Sequence, residues 1–401
     1  MKKFWGWVVH NSTIIITYAV LLSGVFTLYQ YKQTSLMPGL NVYEAQVVSR
    51  VDTYQYPWVQ PINAPYITAT KLLTKILPIS SLRAARMVNV VLMTASVVMF
   101  FWLLRNWLLS PAKALVGTTL FATSTWTLTL VHGAHYPVTG IFLTLLIFTL
   151  ATRLFFTTRP FFDWVTVTLA SSLALYTPLM PWIALVGAVV AITHIRSRQR
   201  LVPTRRWQKA VIGIVLLLAL SPLAIALIKN PAAVKELIGL SVSPGSITTI
   251  GLNIVETVGA IFIRSESAHV LGLGRLPMLD IFSLFMFIMG ARYFSKHRKL
   301  KRTKMLFGGL VFGIVVSSLG GFDSMHFSIV LPLLYIFIAA GIHEVVTRWL
   351  AVFPRNPIAR GVGIAIVAIA IGYTTYYHLT RTFIARPGNP QMRSFYAKIN
   401  S

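Results

Sequence analysis

The stretch VNVVLMTASVVMFFWLL, from Val88 to Leu104, decides the fold. It contains no charge, and it is flanked by Arg83 and Arg86 on one side and Arg105 on the other. A hydrocarbon layer about 30 Å thick takes roughly 20 helical residues to cross. That layer satisfies no backbone hydrogen bond, so a run of this kind reads as a membrane-crossing helix. Similar runs recur near Thr13–Tyr29, Ala112–Val131, Tyr136–Leu154, Trp164–Tyr176, Trp182–His194 and Val211–Ile228. Four more follow near Met278–Tyr293, Met305–Leu319, Phe327–Ile342 and Val362–Tyr377. The expectation is an all-α chain, a single polytopic membrane domain over residues 1–401 with about eleven spans.

Composition agrees. Apolar residues make up 56% of the 401 positions and charged residues 11%, against roughly 25% charged in an ordinary soluble domain. The net charge of +27 raises the question of nucleic acid, and the placement of the charge answers it. Arg196, Arg198, Arg200, Arg205, Arg206 and Lys209 sit in one short connector, and Lys296, Arg298, Lys299, Lys301, Arg302 and Lys304 in another. Basic connectors between apolar runs mark the cytoplasmic side of a membrane protein and favour anionic lipid. No nucleic-acid partner is implied. The start, Met1-Lys2-Lys3 and then an apolar run without a small-x-small cleavage site, reads as a retained first helix that begins in the cytoplasm. With no cysteine, disulfides and thiolate metal sites are excluded.

Alternating the spans from that start places seven of the nine acidic residues outside: Glu44, Asp52, Glu236, Glu256, Glu266, Asp280 and Asp323. Only Asp163 and Glu344 fall inside. The basic-residue rule makes no demand on acids, so this asymmetry is independent of it and points to an external site. Two outer segments are longer than a turn needs, about 30–83 and about 229–276. The first carries Glu44, Asp52 and many aromatics and is expected to hold interfacial helices; the second is rich in Gly and Ser.

The first outer segment reads Pro38-Gly39-Leu40-Asn41-Val42-Tyr43-Glu44-Ala45 and, further on, Asn63-Ala64-Pro65-Tyr66. Leu82-Arg83-Ala84-Ala85-Arg86 opens the second span, Ala122-Thr123-Ser124-Thr125-Trp126 lies in the third, and His326-Phe327-Ser328 precedes Leu331-Pro332. Together these resemble the GT-C superfamily of membrane glycosyltransferases, of the protein O-mannosyltransferase and aminoarabinose transferase type. Three places depart from that pattern. Tyr43 stands where relatives have the first acid of a pair, His132-Gly133-Ala134-His135-Tyr136-Pro137 holds no acid, and Ser328 replaces a late arginine.

The resemblance implies an inverting glycosyltransferase of the cell membrane. Its donor is a polyprenyl-phosphate-linked sugar, and its acceptor is an envelope glycan, lipid or protein on the extracytoplasmic face. Glu44 is then the general base that takes the acceptor hydroxyl's proton, with Asp52 two helical turns on as a second catalytic candidate. The leaving phosphate calls for cations, and Arg86, Arg264, Arg275, His269 and His326 are the candidates. His132 and His135 are placed near the sugar; as a pair with no nearby acid they supply too few ligands for a metal, and no cofactor is implied. Other readings stand beside these. Asn41 followed by Glu44 three positions later fits a helix capping box, Asp52 fits a solvated carboxylate, and terminal arginines fit headgroup contacts. For the whole chain, the other functions in view are a non-catalytic glycolipid-binding or scaffold protein and a transporter or flippase.

Overall fold

The computed structural model describes residues 12–33, 35–36, 40–108, 111–154, 160–193, 205–240, 247–264, 276–319 and 326–397. Among them there is no strand; the chain is all-α. The helices are α1 (Ser12–Gln30), α2 (Val42–Thr53), α3 (Ala64–Ile76), α4 (Ser81–Leu108), α5 (Pro111–Thr123), α6 (Thr125–His132), α7 (Pro137–Leu154), α8 (Pro160–Ala174) and α9 (Met180–Thr193). There follow α10 (Arg206–Lys229), α11 (Ala232–Leu237), α12 (Ile247–Phe262), α13 (Ile281–Lys296), α14 (Lys301–Ser317), α15 (Leu331–Val352), α16 (Pro357–Thr380) and α17 (Pro390–Ala397). Among the described residues, five helical segments are long and apolar enough to cross a membrane, or six if the bent pair α5–α6 counts as one. Four further apolar helices are shorter.

Burial sorts these helices. The segment His326–Val352 is 78% buried over its most apolar window, while Arg206–Lys229 and Pro357–Gly388 are 11% buried. A helix apolar all round is at home in a protein core or in lipid, and α15 takes the first place, α10 and α16 the second. Leu217, Leu218, Ile369 and Tyr373 project from the bundle with about 70% exposure, as a lipid-facing surface requires.

The centre is the crossing of α13 and α15. A Cβ built on Gly290 would lie 1.8 Å from the Phe337 carbonyl oxygen, and one on Gly341 would lie 1.9 Å from that of Met286. The two backbones touch because neither glycine has a side chain, the close approach that small residues permit between membrane helices. Phe337 is then ringed by Phe287, Phe294 and Phe307, with centroids 5.1–5.3 Å away.

Two spans deviate from straight helices, and each deviation is repaired by polar groups. Pro222 in α10 cannot donate to Leu218, and the Ser221 hydroxyl donates to that carbonyl instead (3.1 Å). The Tyr176 hydroxyl also inserts there, donating to Ala219 O (2.7 Å) and accepting from Leu223 N (3.2 Å). The run 112–131, expected as one span, bends by 54° at Ser124. Ser124 caps α6 by accepting from Thr127 N (3.1 Å), and the Tyr29 hydroxyl donates to Ala122 O (3.1 Å).

The Gly/Ser-rich segment 229–276 contains α11 and α12. In α12 the Asn253 amide donates to Ser318 O, and Thr257 pairs with the Ser318 hydroxyl. Apolar residues at helical spacing, Ile250, Ile254, Val258 and Ile261 among them, form the helix despite the glycines. The first long segment does hold helices, α2 and α3.

Gly341→Ala is expected to push α13 and α15 apart and lower the melting temperature in detergent sharply, since overpacking against backbone costs about 1–3 kcal/mol or more. Gly213→Ala, where a Cβ meets nothing within 4 Å, is the control. Equal melting of the two variants would contradict the crossing.

Candidate functional site

The site grows from Asn41. Its side chain accepts from Glu44 N (2.8 Å), and the Glu44 carboxylate reaches back to Asn41 N (3.4 Å), so the capping box is present in full at the start of α2. The same carboxylate does more. Glu44 Oε1 accepts from Arg86 Nε (3.0 Å), from Arg86 Nη2 (2.9 Å) and from Ala134 N (2.9 Å). Glu44 is 0% exposed and Arg86 5%. A carboxylate taken out of water is tolerated only when its charge and lone pairs are met, and here the second turn of α4 and the turn after α6 meet them.

Arg86 is likewise engaged. Its Nη1 donates to Gln33 O (3.1 Å), and Gln33 Nε2 returns a bond to Arg86 O (2.9 Å). The pair therefore ties together four pieces of chain: the end of α1, the start of α2, the first turns of α4, and the α6–α7 turn. Asn89, one turn further along α4, holds that last turn by donating to Gly133 O (2.7 Å) and His135 O (3.2 Å). Gly133 is needed there because the His135 ring fills the place of a side chain; a Cβ would lie 2.1 Å from His135 Nε2.

His132 and His135 flank this turn and are both buried. His132 faces two carbonyls, Leu128 O at 2.7 Å from Nδ1 and Tyr31 O at 3.0 Å from Nε2, and Phe383 sits edge-on to it at 5.2 Å. His135 Nε2 is buried without a hydrogen-bond partner. Burial above all, with Arg386 and Arg86 nearby, pushes the His135 pKa down to about 3. The ring is thus neutral at physiological pH.

A second polar chain lies along the same face of α6. Thr125 Oγ1 is 2.9 Å from His378 Nδ1, and His378 Nε2 is 3.0 Å from Asp280 Oδ2, which also caps α13 through Ser283. The last span then widens into a π turn, Arg381–Ala385, a feature often met at functional sites. Arg381 and Thr382 are buried in it, and Arg386, buried just after it, donates to the Tyr396 hydroxyl (3.1 Å). Asn89, Asp280, His378, Arg381 and Arg386 were not singled out by the motifs. Signals for some of them exist: Asn89 is an amide inside the opening apolar run, and the two arginines stand at the end of the last span where the basic-residue rule expects few.

Of the residues proposed from sequence, Glu44, Arg86, His132 and His135 come together. Asp52 is exposed and accepts from the Ser81 hydroxyl, and Arg264 is exposed beyond α12. His326 opens the short 3₁₀ turn before α15, where its carbonyl accepts from the Ser317 hydroxyl (3.4 Å). His269 and Arg275 lie outside the described residues. Among the described residues no group of three or more His, Asp or Glu side chains is placed to hold a metal ion.

No known protein-family model and no curated protein sequence matches the chain.

Two measurements follow from the buried pair and the neutral histidine. Arg86→Met strands the Glu44 charge in the interior and is expected to cost about 3–5 kcal/mol, read as a lowered melting temperature; an unchanged value would remove the pair from its structural role. The His135 pKa is depressed on folding, so its stabilising contribution is complete above pH 6.5 and declines as pH falls toward 3. Between pH 7 and pH 5 the protein should lose about 2 kcal/mol through this residue, and His135→Phe should flatten that slope in a pH series of unfolding curves.

Proposed function

We propose that this protein is an inverting membrane glycosyltransferase with a GT-C-like arrangement of about eleven spans. It transfers a sugar from a polyprenyl-phosphate donor to an acceptor on the extracytoplasmic face of the cell membrane. The observation that supports this most is the buried Glu44–Arg86 pair with His132 and His135 beside it. Ionisable groups within a membrane-facing bundle are costly and tend to mark sites of function. They gather at the end of the bundle where α1 finishes and α4 begins, and the basic connectors argue that this end faces outward. The resemblance in the Asn41–Ala45, Leu82–Arg86 and Ala122–Trp126 segments leads to sugar transfer in particular.

In this reading the phosphate leaves as an anion and needs fixed cations around it. Arg86 is held by Glu44 and Gln33, and Arg381 of the π turn and Arg386 just after it are further buried arginines at this end. Glu44 keeps the α2 end and the α6–α7 turn in register around the sugar.

A second reading, a non-catalytic glycolipid-binding or scaffold protein, is favoured by one observation: neither oxygen of Glu44 meets solvent. Turnover separates the two. Purified full-length protein in lipid nanodiscs, given polyprenyl-phosphate hexoses and pentoses and an alkyl glycoside acceptor, is expected to release polyprenyl phosphate. Binding of the donors without release would establish the non-catalytic reading.

A further inference from the structure

Proton transfer to a carboxylate requires that the carboxylate reach the acceptor hydroxyl, within about 3 Å or through one water. Glu44 lies at 0% exposure beneath its donors. Asp280 is held by His378 and Ser283, and Asp52 sits by Ser81 at the far end of α2. Glu256 is exposed on α12. Among the described outer acids, Glu236 differs from these four. Its Oε1 lies 3.0 Å from Arg50 Nη2, the only ion pair among the described residues that joins the two long segments, and the two side chains keep 38% and 42% of their surface.

Glu236 stands on a built support. After it, α11 ends with Gly239 N donating to Glu236 O (3.1 Å) and Leu240 N to Lys235 O (2.7 Å), with Gly239 at φ +80°. That is the left-handed termination that glycine allows. Leu179 docks against it, donating its N–H to Leu237 O (2.8 Å), and the Trp182 indole donates to Ile238 O (3.0 Å). Leu179 itself holds φ +67°, a conformation costly for a bulky residue and kept where the surroundings demand it. A Cβ on Gly239 would lie 2.3 Å from Leu179 Cδ2, so the fit is close.

The pair also adjoins the buried cluster. Tyr136, two residues beyond the Ala134 amide that binds Glu44, packs edge-on against Tyr66 at 5.3 Å. Its hydroxyl is buried without a partner. Tyr136 packs against the cluster that holds Val47, Val51 and Leu237, the last two being the chain neighbours of Arg50 and Glu236.

The geometry points to Glu236, held by Arg50, as the carboxylate that accepts the acceptor's proton in the proposed sugar transfer, with Tyr136 lining the same place. This rests on the glycosyltransferase reading. In the step, the acceptor hydroxyl oxygen forms a bond to the anomeric carbon and gives its proton to Glu236. The bond from that carbon to the phosphate oxygen breaks, and its electron pair leaves with the polyprenyl phosphate. Glu44 remains the anchor beneath.

The test compares Glu236→Gln, Glu236→Asp and wild type in the nanodisc assay, using polyprenyl-phosphate hexoses and pentoses as donors and an alkyl glycoside as acceptor. Glu236→Gln is expected to lower kcat by about 10²- to 10⁴-fold. Its donor KM and melting temperature should hold, because an exposed ion pair contributes little to stability. Glu236→Asp should recover part of the rate. Wild-type kcat in Glu236→Gln would overturn the assignment and leave sugar transfer standing. A wild-type protein that releases no polyprenyl phosphate would overturn sugar transfer itself, and the role of Glu236 with it.

Discussion

The Glu44–Arg86 pair is the contact on which one end of this bundle depends. Three short bonds converge on one carboxylate oxygen, and they come from two elements far from Glu44 in sequence. In low dielectric such a pair has no cheap alternative arrangement, since separating the partners leaves two unmet charges. It therefore does for the ends of α1, α2 and α4 and for the α6–α7 turn what the glycine crossing of α13 and α15 does for the centre. It gives them one relative position. Close packing decides the buried middle, and hydrogen bonding decides the end.

The helices were legible because an apolar run in lipid has few choices, and among the described residues five of them, or six with the bent pair α5–α6, are long and apolar enough to cross a membrane. Their irregularities were not. The bend at Ser124 arises where Ser124 and the Tyr29 hydroxyl take over backbone partners, and Tyr29 lies 93 residues from the carbonyl it binds. Likewise α12 was hidden because Gly and Ser in its neighbourhood resemble loop composition, while the contacts that stabilise it are with Ser318.

For the site, local chemistry was readable and distant chemistry was not. The spacing of Asn41 and Glu44 foretold the capping box, both halves of which are present. The same spacing carried no hint that Arg86 and Ala134 would close over the carboxylate, since those partners are set by how α4 and the α6–α7 turn pack. Arg86 was singled out through resemblance, for phosphate, and the fold gives it Glu44 and Gln33 as partners. Tyr136 and Glu236, ordinary in the sequence, matter only because α11 docks on the turn after α8.

Hydrogen exchange across the Ala134 amide tests the organising role of the pair most directly. In the wild type that amide is buried against Glu44 and should exchange slowly, as should residues 31–33 at the end of α1. In Glu44→Ala the protection of both segments should collapse together while α13 and α15 keep theirs. Protection of residues 31–33 and 133–136 that is unchanged in Glu44→Ala would contradict the organising role of the pair.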